Sequence, residues 1–84
     1  MEYVIVAVRS RSTLVGLSDY LTKMGVRNQI VNTPKEAGVG CGLSIKISPN
    51  LLLAVKRAVS IKKISVAGYF LVKTVGGKSL VKTI

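Results

Sequence analysis

The sequence predicts an α+β sandwich, with two helices on one face of a four-stranded antiparallel sheet. Three observations point to it. Four short stretches are β-branched or strictly alternating in polarity, and two longer ones repeat apolar residues at three- and four-residue spacing. The helical stretches follow the first and third strands, so the order reads β-α-β-β-α-β. Hydrophobic residues make up 49% of only 84 positions, enough for one packed core in a domain whose surface is hard to bury.

Each element has its own signal. Residues 2–8, EYVIVAV, form a nearly continuous apolar run, the pattern of a buried strand. The break at residues 9–12, RSRS, supplies two candidate helix caps, Ser10 and Ser12. Leu14, Leu17, Leu21 and Met24 then make one helical stripe that ends at Gly25. Residues 26–32, VRNQIVN, read as a more polar edge strand, followed by an irregular loop, TPKEAGVGCG. In residues 43–48, Leu43, Ile45 and Ile47 share one side, while Ser44, Lys46 and Ser48 share the solvent side. Ser48 and Pro49 open the second helix as cap and first residue, with Leu52, Val55 and Val59 facing the core. Residues 64–72, ISVAGYFLV, give the fourth strand.

Residues 1–75 are thus expected to form a single domain. Residues 76–84 form a basic C-terminal tail whose apolar end is available to an edge strand or a partner. Right-handed crossovers set the strand order at 4-1-3-2, the split βαβ or ferredoxin-like sandwich.

Thirteen Lys and Arg oppose three acids, Glu2, Asp19 and Glu36, for a formal net charge of +10. Such a field attracts polyanions and acidic proteins, and it equally serves plain solubility. Apart from Lys56-Arg57 and Lys62-Lys63 the basic residues are scattered, and one Phe and three Tyr leave little for base stacking. With no His and three acids, metal-dependent and hydrolytic chemistry have no residues to run on, and no metal or cofactor is expected. Charges interrupt every apolar stretch well before the ~20 residues of a spanning helix, so a cytoplasmic protein without a membrane span is expected.

The one cysteine, Cys41, stands between Gly40 and Gly42 at the mouth of the third strand. In the expected topology this loop and the end of the first strand share one end of the domain. If the strand reaches back to residue 41, the thiol lies on the helix side, beneath the first turn of the first helix. Free N–H groups and the helix dipole there, with Arg9, Arg11 and Lys35 from the same end, would stabilise a thiolate. Gly40 and Gly42 would leave the sulfur accessible to close approach. The competing description is an inert apolar side chain filling the core, the commoner fate of a lone cysteine. Likewise Ser10 and Ser12 are sufficiently explained as helix caps.

The EYVIV strand, the Ser-rich helix start, the Met-Gly-Val helix end, N-T-P-K-E and C-G-L-S-I-K-I together resemble the selenium/sulfur carrier protein-like family. The resemblance covers about residues 2–70. Its most specific part pairs Thr33, Pro34, Lys35 and Glu36 with Cys41, Gly42 and Leu43. It implies a ferredoxin-like fold and a cysteine that carries sulfur or selenium as a persulfide or selenosulfide. The chain departs from the family in Gly-Val-Gly before the cysteine, in Lys35 where arginine is common, and in its basic tail.

The function expected is therefore a carrier rather than an enzyme. Cys41 would exchange sulfur with donor and acceptor proteins, and Arg9, Ser10, Arg11, Ser12, Lys35, Gly40 and Gly42 would stabilise the anion. The alternative is a small basic nucleic-acid-binding or regulatory module using an open sheet face, with Lys46, Lys73, Arg27 and the lysines of the second helix on phosphates. Homo-oligomers through strand edges or the tail are a further expectation.

Overall fold

The computed structural model describes residues 2–38, 40 and 42–84. The central strand is β1 (Glu2–Ala7), in which Val4, Ile5, Val6 and Ala7 are all buried. It pairs antiparallel with β3 (Leu43–Ile47) on one side and with β4 (Gly68–Val75) on the other. Beyond β3 lies the edge strand β2 (Gln29–Asn32), and beyond β4 a further strand, β5 (Lys78–Thr83). The sheet order is β2-β3-β1-β4-β5, antiparallel throughout. The expected count of four strands is thus corrected to five. The fifth comes from the expected tail, where Gly76 and Gly77 both take positive φ (56° and 79°) and turn the chain so that Val75 faces Lys78. Two consecutive residues with positive φ are what a two-residue hairpin turn requires, and glycine supplies them without strain.

Helix α1 (Arg11–Lys23) starts at Ser10, whose hydroxyl accepts from the Thr13 N–H at 3.4 Å. Leu14, Leu17 and Leu21 are buried as the stripe predicts, but Met24 is 57% exposed because the helix has already ended. Gly25 (φ 78°) reverses the chain, the Gly25 N–H donates to the Thr22 carbonyl, and the Val26 N–H donates back to Leu21 at 2.8 Å. That pair of bonds satisfies carbonyls the helix would otherwise leave open.

The second helical segment begins as a 3-10 turn (Pro49–Leu51) before α2 (Leu52–Ile61). Ser48 makes no side-chain capping bond, contrary to expectation, because the tighter turn intervenes between it and the helix. Val55 and Ala58 are buried, with Leu52 and Val59 partly buried beside them.

Both helices pack on the same face. Val4, Val6, Val8, Ile45 and Ile47 from the sheet meet Leu14, Leu17 and Leu21 of α1 and Val55 and Ala58 of α2. The opposite face carries a second, smaller cluster of Ile5, Ala7, Phe70 and Val72. These side chains are buried although no helix covers them. The cover is the loop between β2 and β3. Its short 3-10 turn (Lys35–Ala37) contacts β5, and Ala37 packs against the same cluster as Val81. The sheet face expected to be open is therefore roofed at this end. Ser44, read from sequence as solvent-facing, is fully buried.

Candidate functional site

The β2–β3 loop is closed at its neck. The Thr33 N–H donates to the Gly42 carbonyl at 3.1 Å, and the Thr33 hydroxyl lies 2.6 Å from that of Ser44, two residues beyond Gly42. The T-P-K-E and C-G-L segments are thus the two limbs of one loop whose ends are fastened together, a compact surface element of the Ω type. Pro34 precedes the 3-10 turn. The Ala37 N–H donates to the Pro34 carbonyl and the Gly38 N–H to the Lys35 carbonyl, both at 3.1 Å. Lys35 and Glu36 are exposed on the turn's outer side, and Ala37 is the residue pressed onto the sheet.

Cys41 itself lies outside the described residues, as does Val39. Its neighbours are described. β3 begins at Leu43, and Gly42 lies outside it; the expected placement of the Cys41 thiol on the helix side falls outside the described residues. Gly40 has φ 69°, and a Cβ there or at Gly42 would meet nothing within 4 Å. Backbone conformation, rather than a close approach, is what calls for glycine at position 40.

The remaining expected site residues sit at the same end of the strands but on the other face. Ala7 pairs with Ser44, which brings the RSRS turn and the loop's neck to one end. The turn leads into α1 on the helical face, whereas Lys35 and Glu36 ride on the 3-10 turn beneath the opposite face. Arg9, Ser10, Arg11 and Ser12 are all exposed. The Ser10 and Ser12 hydroxyls lie 3.2 Å apart, consistent with capping. Arg9 and Ser10 line a hollow of about 180 Å³ with Val8, Thr13, Ser65 and Ala67. Among the described residues the structure places Arg9 and Arg11 in no ion pair. The one ion pair among the described residues is Glu2–Lys73, 3.4 Å, both side chains about half exposed, where β1 and β4 pair at the start of β1.

The basic surface is partly spoken for. Lys46 stands over the Tyr3 ring at 4.4 Å, Lys62 over Tyr20 at 4.5 Å, and Lys56 over Tyr69 at 5.2 Å. Each of the three tyrosines therefore holds a cation against its ring, the face a nucleobase would need. Burial pushes the Tyr69 phenol above its ordinary value. A larger groove, about 880 Å³ and including Tyr3, Arg27, Gln29, Lys46, Ser48 and Asn50 in its wall, opens at the far end of the strands from the Cys41 loop. Among the described residues no three His, Cys, Asp or Glu side chains gather as a metal site would require, and no helix is long and apolar enough to cross a membrane.

Residues 2–71 match the family described as putative Se/S carrier protein-like. The chain belongs to that family. The match takes in the whole closed loop, with Cys41 and both of its flanking limbs, and it ends within β4, before β5 begins. No curated protein and no solved structure matches the chain.

What sequence reasoning missed at the site is the closure of the loop. The bond from Thr33 to Gly42 is made by backbone atoms, which carry no residue signature. The one side-chain signal was a pair of hydroxyl residues, Thr33 and Ser44, flanking the loop at its two ends.

Proposed function

We propose that the chain is a carrier, not an enzyme, which accepts sulfane sulfur or selenium on Cys41 and passes it on within the cytoplasm. The observation that carries this reading is membership of the Se/S carrier-like family over a span that contains the chain's only thiol. The Cys41 thiolate attacks the terminal sulfur of a donor protein's persulfide. A new S–S bond forms to Cys41, the donor's S–S bond breaks, and the donor leaves as a thiolate. The proton of the terminal sulfur travels with it, so no oxidant, reductant or metal is consumed. A donor selenosulfide reacts in the same way, and the reverse attack by an acceptor thiol unloads the carrier.

Such exchange needs a thiolate and access, not a general base. The closed loop supports this reading because the two glycines that flank Cys41 in the chain, Gly40 and Gly42, are both exposed and both lie outside β3. Lys35, Arg9 and Arg11, with the overall charge of +10, supply a positive field that favours the anionic sulfur and steers an acidic donor.

The test is the alkylation rate of native Cys41 against pH, paired with persulfide loading read by intact mass. The expected outcome is an apparent thiol pKa below the ~8.5 of a free cysteine, and a mass gain of one sulfur atom that Cys41→Ser abolishes. A thiol that reacts only after denaturation, or a native protein that gains no sulfur from a persulfide donor, overturns the reading.

A further inference from the structure

We propose that β5 is the seat of the cysteine loop: it holds the 3-10 turn against the sheet and thereby restrains the β2–β3 loop, whose sequence includes Cys41. This rests on reading Cys41 as the sulfur-accepting group. Two independent observations carry it. The 3-10 turn at Lys35–Ala37 contacts β5, on the far edge of the sheet from β2, where the loop starts. Ala37 from the turn and Val81 from β5 also pack against one cluster, Ile5, Ala7, Phe70 and Val72.

Without β5, nothing beyond β4 would carry that cluster outward. Val81 faces Val72 across the β4–β5 ladder and extends the apolar floor to where the turn rests. The loop's neck fixes only its two ends. Among the described residues of the loop's middle, Ala37 is the one packed on this cluster, so small changes at this seat alter the loop's opening equilibrium. β5 also lies outside residues 2–71, the part of the chain that matches the family. Val81 and Ala37 are positioning residues, because neither needs to touch the sulfur.

The experiment compares full-length wild type with Val81→Ser, Ala37→Ser and the conservative Val81→Ile. Two readouts apply: amide exchange at Ala37 and Gly38, referenced to Leu14 and Leu21 in α1, and the pH profile of Cys41 alkylation with persulfide loading. In Val81→Ser, exchange at the turn should rise about threefold or more while α1 is unchanged. The apparent thiol pKa should move toward that of a free cysteine, and loading should slow. Val81→Ile should behave as wild type. Where Val81→Ser loosens α1 as well, Ala37→Ser, which leaves β5 intact, should reproduce the effect at the turn. Unchanged turn exchange and thiol profile in both serine variants, or a Val81→Ile protein that behaves like Val81→Ser, overturns the proposal. If wild type takes up no sulfur, the carrier reading fails, and turn exchange still decides whether β5 seats the loop.

Discussion

At the scale of single residues, the Thr33–Ser44 hydroxyl pair is where the loop and the sheet are coupled. Ser44 has no exposed surface, whereas Thr33 is half-buried, so the two partners are not equivalent. Thr33→Val leaves the Ser44 hydroxyl buried with nothing to bond, at a cost of about 1–3 kcal/mol. Ser44→Ala removes the buried polar group, and the Thr33 hydroxyl turns toward water, so the loss should stay under about 1 kcal/mol. The double variant should therefore be more stable than Thr33→Val alone. Urea midpoints of the four proteins check this, and equal losses for the two single variants would contradict the asymmetry. The sequence could not reveal this coupling. Ser44 alternates with Leu43 and Ile45 in a pattern that normally marks a solvent-facing position, and its hydroxyl partner, Thr33, lies eleven residues back along the chain.

At the scale of elements, the two helices end alike but with different residues. After α1 the reversing residue is Gly25; after α2 it is Lys63, at φ 53°. In both cases the next N–H donates back five residues, Val26 to Leu21 and Ile64 to Val59 at 3.0 Å. A left-handed residue with a Cβ is strained by roughly 1–2 kcal/mol, and glycine returns part of that as extra freedom in the unfolded chain. Lys63→Gly should thus stabilise the protein by about 0.5–1 kcal/mol, read as a higher urea midpoint with an unchanged slope; a lower midpoint would show that Lys63 contributes something else there. Much at this scale was legible beforehand. The Leu14-Leu17-Leu21 stripe, the Ser10 cap and the Leu43-Ile45-Ile47 face are all as read, because each depends on local spacing. The fourth strand was read four residues early. Ile64 and Val66 are apolar because they pack under the helices on the way to the sheet, not because they belong to it. The hairpin to β5 had its signal in Gly76-Gly77, but a basic, polar strand at an edge lacks the apolar run that makes a strand conspicuous.

At the scale of the whole molecule, charge and strand order dominate. With a net charge of +10 and one ion pair among the described residues, folding gathers like charges that the unfolded chain keeps apart. Raising chloride salt from a few millimolar to 0.15 M, where the screening length falls to ~8 Å, should raise the urea midpoint. A falling midpoint would mean that attractive pairs outweigh the repulsion. The strand order has a consequence of another kind, in the time during which the protein is made. β1 precedes the other four strands of this sheet in the chain, yet it sits at the centre, and its partners are β3 and β4. At about 5–20 residues per second, its β4 side stays unpaired for roughly 3–12 s after Ala7 is added. For that interval the growing chain displays VIVAV, residues 4–8, an unbroken aliphatic run, to whatever in the cell binds extended hydrophobic segments. A sheet built around the earliest of its strands is thus most exposed to the cell's folding helpers before β4 exists.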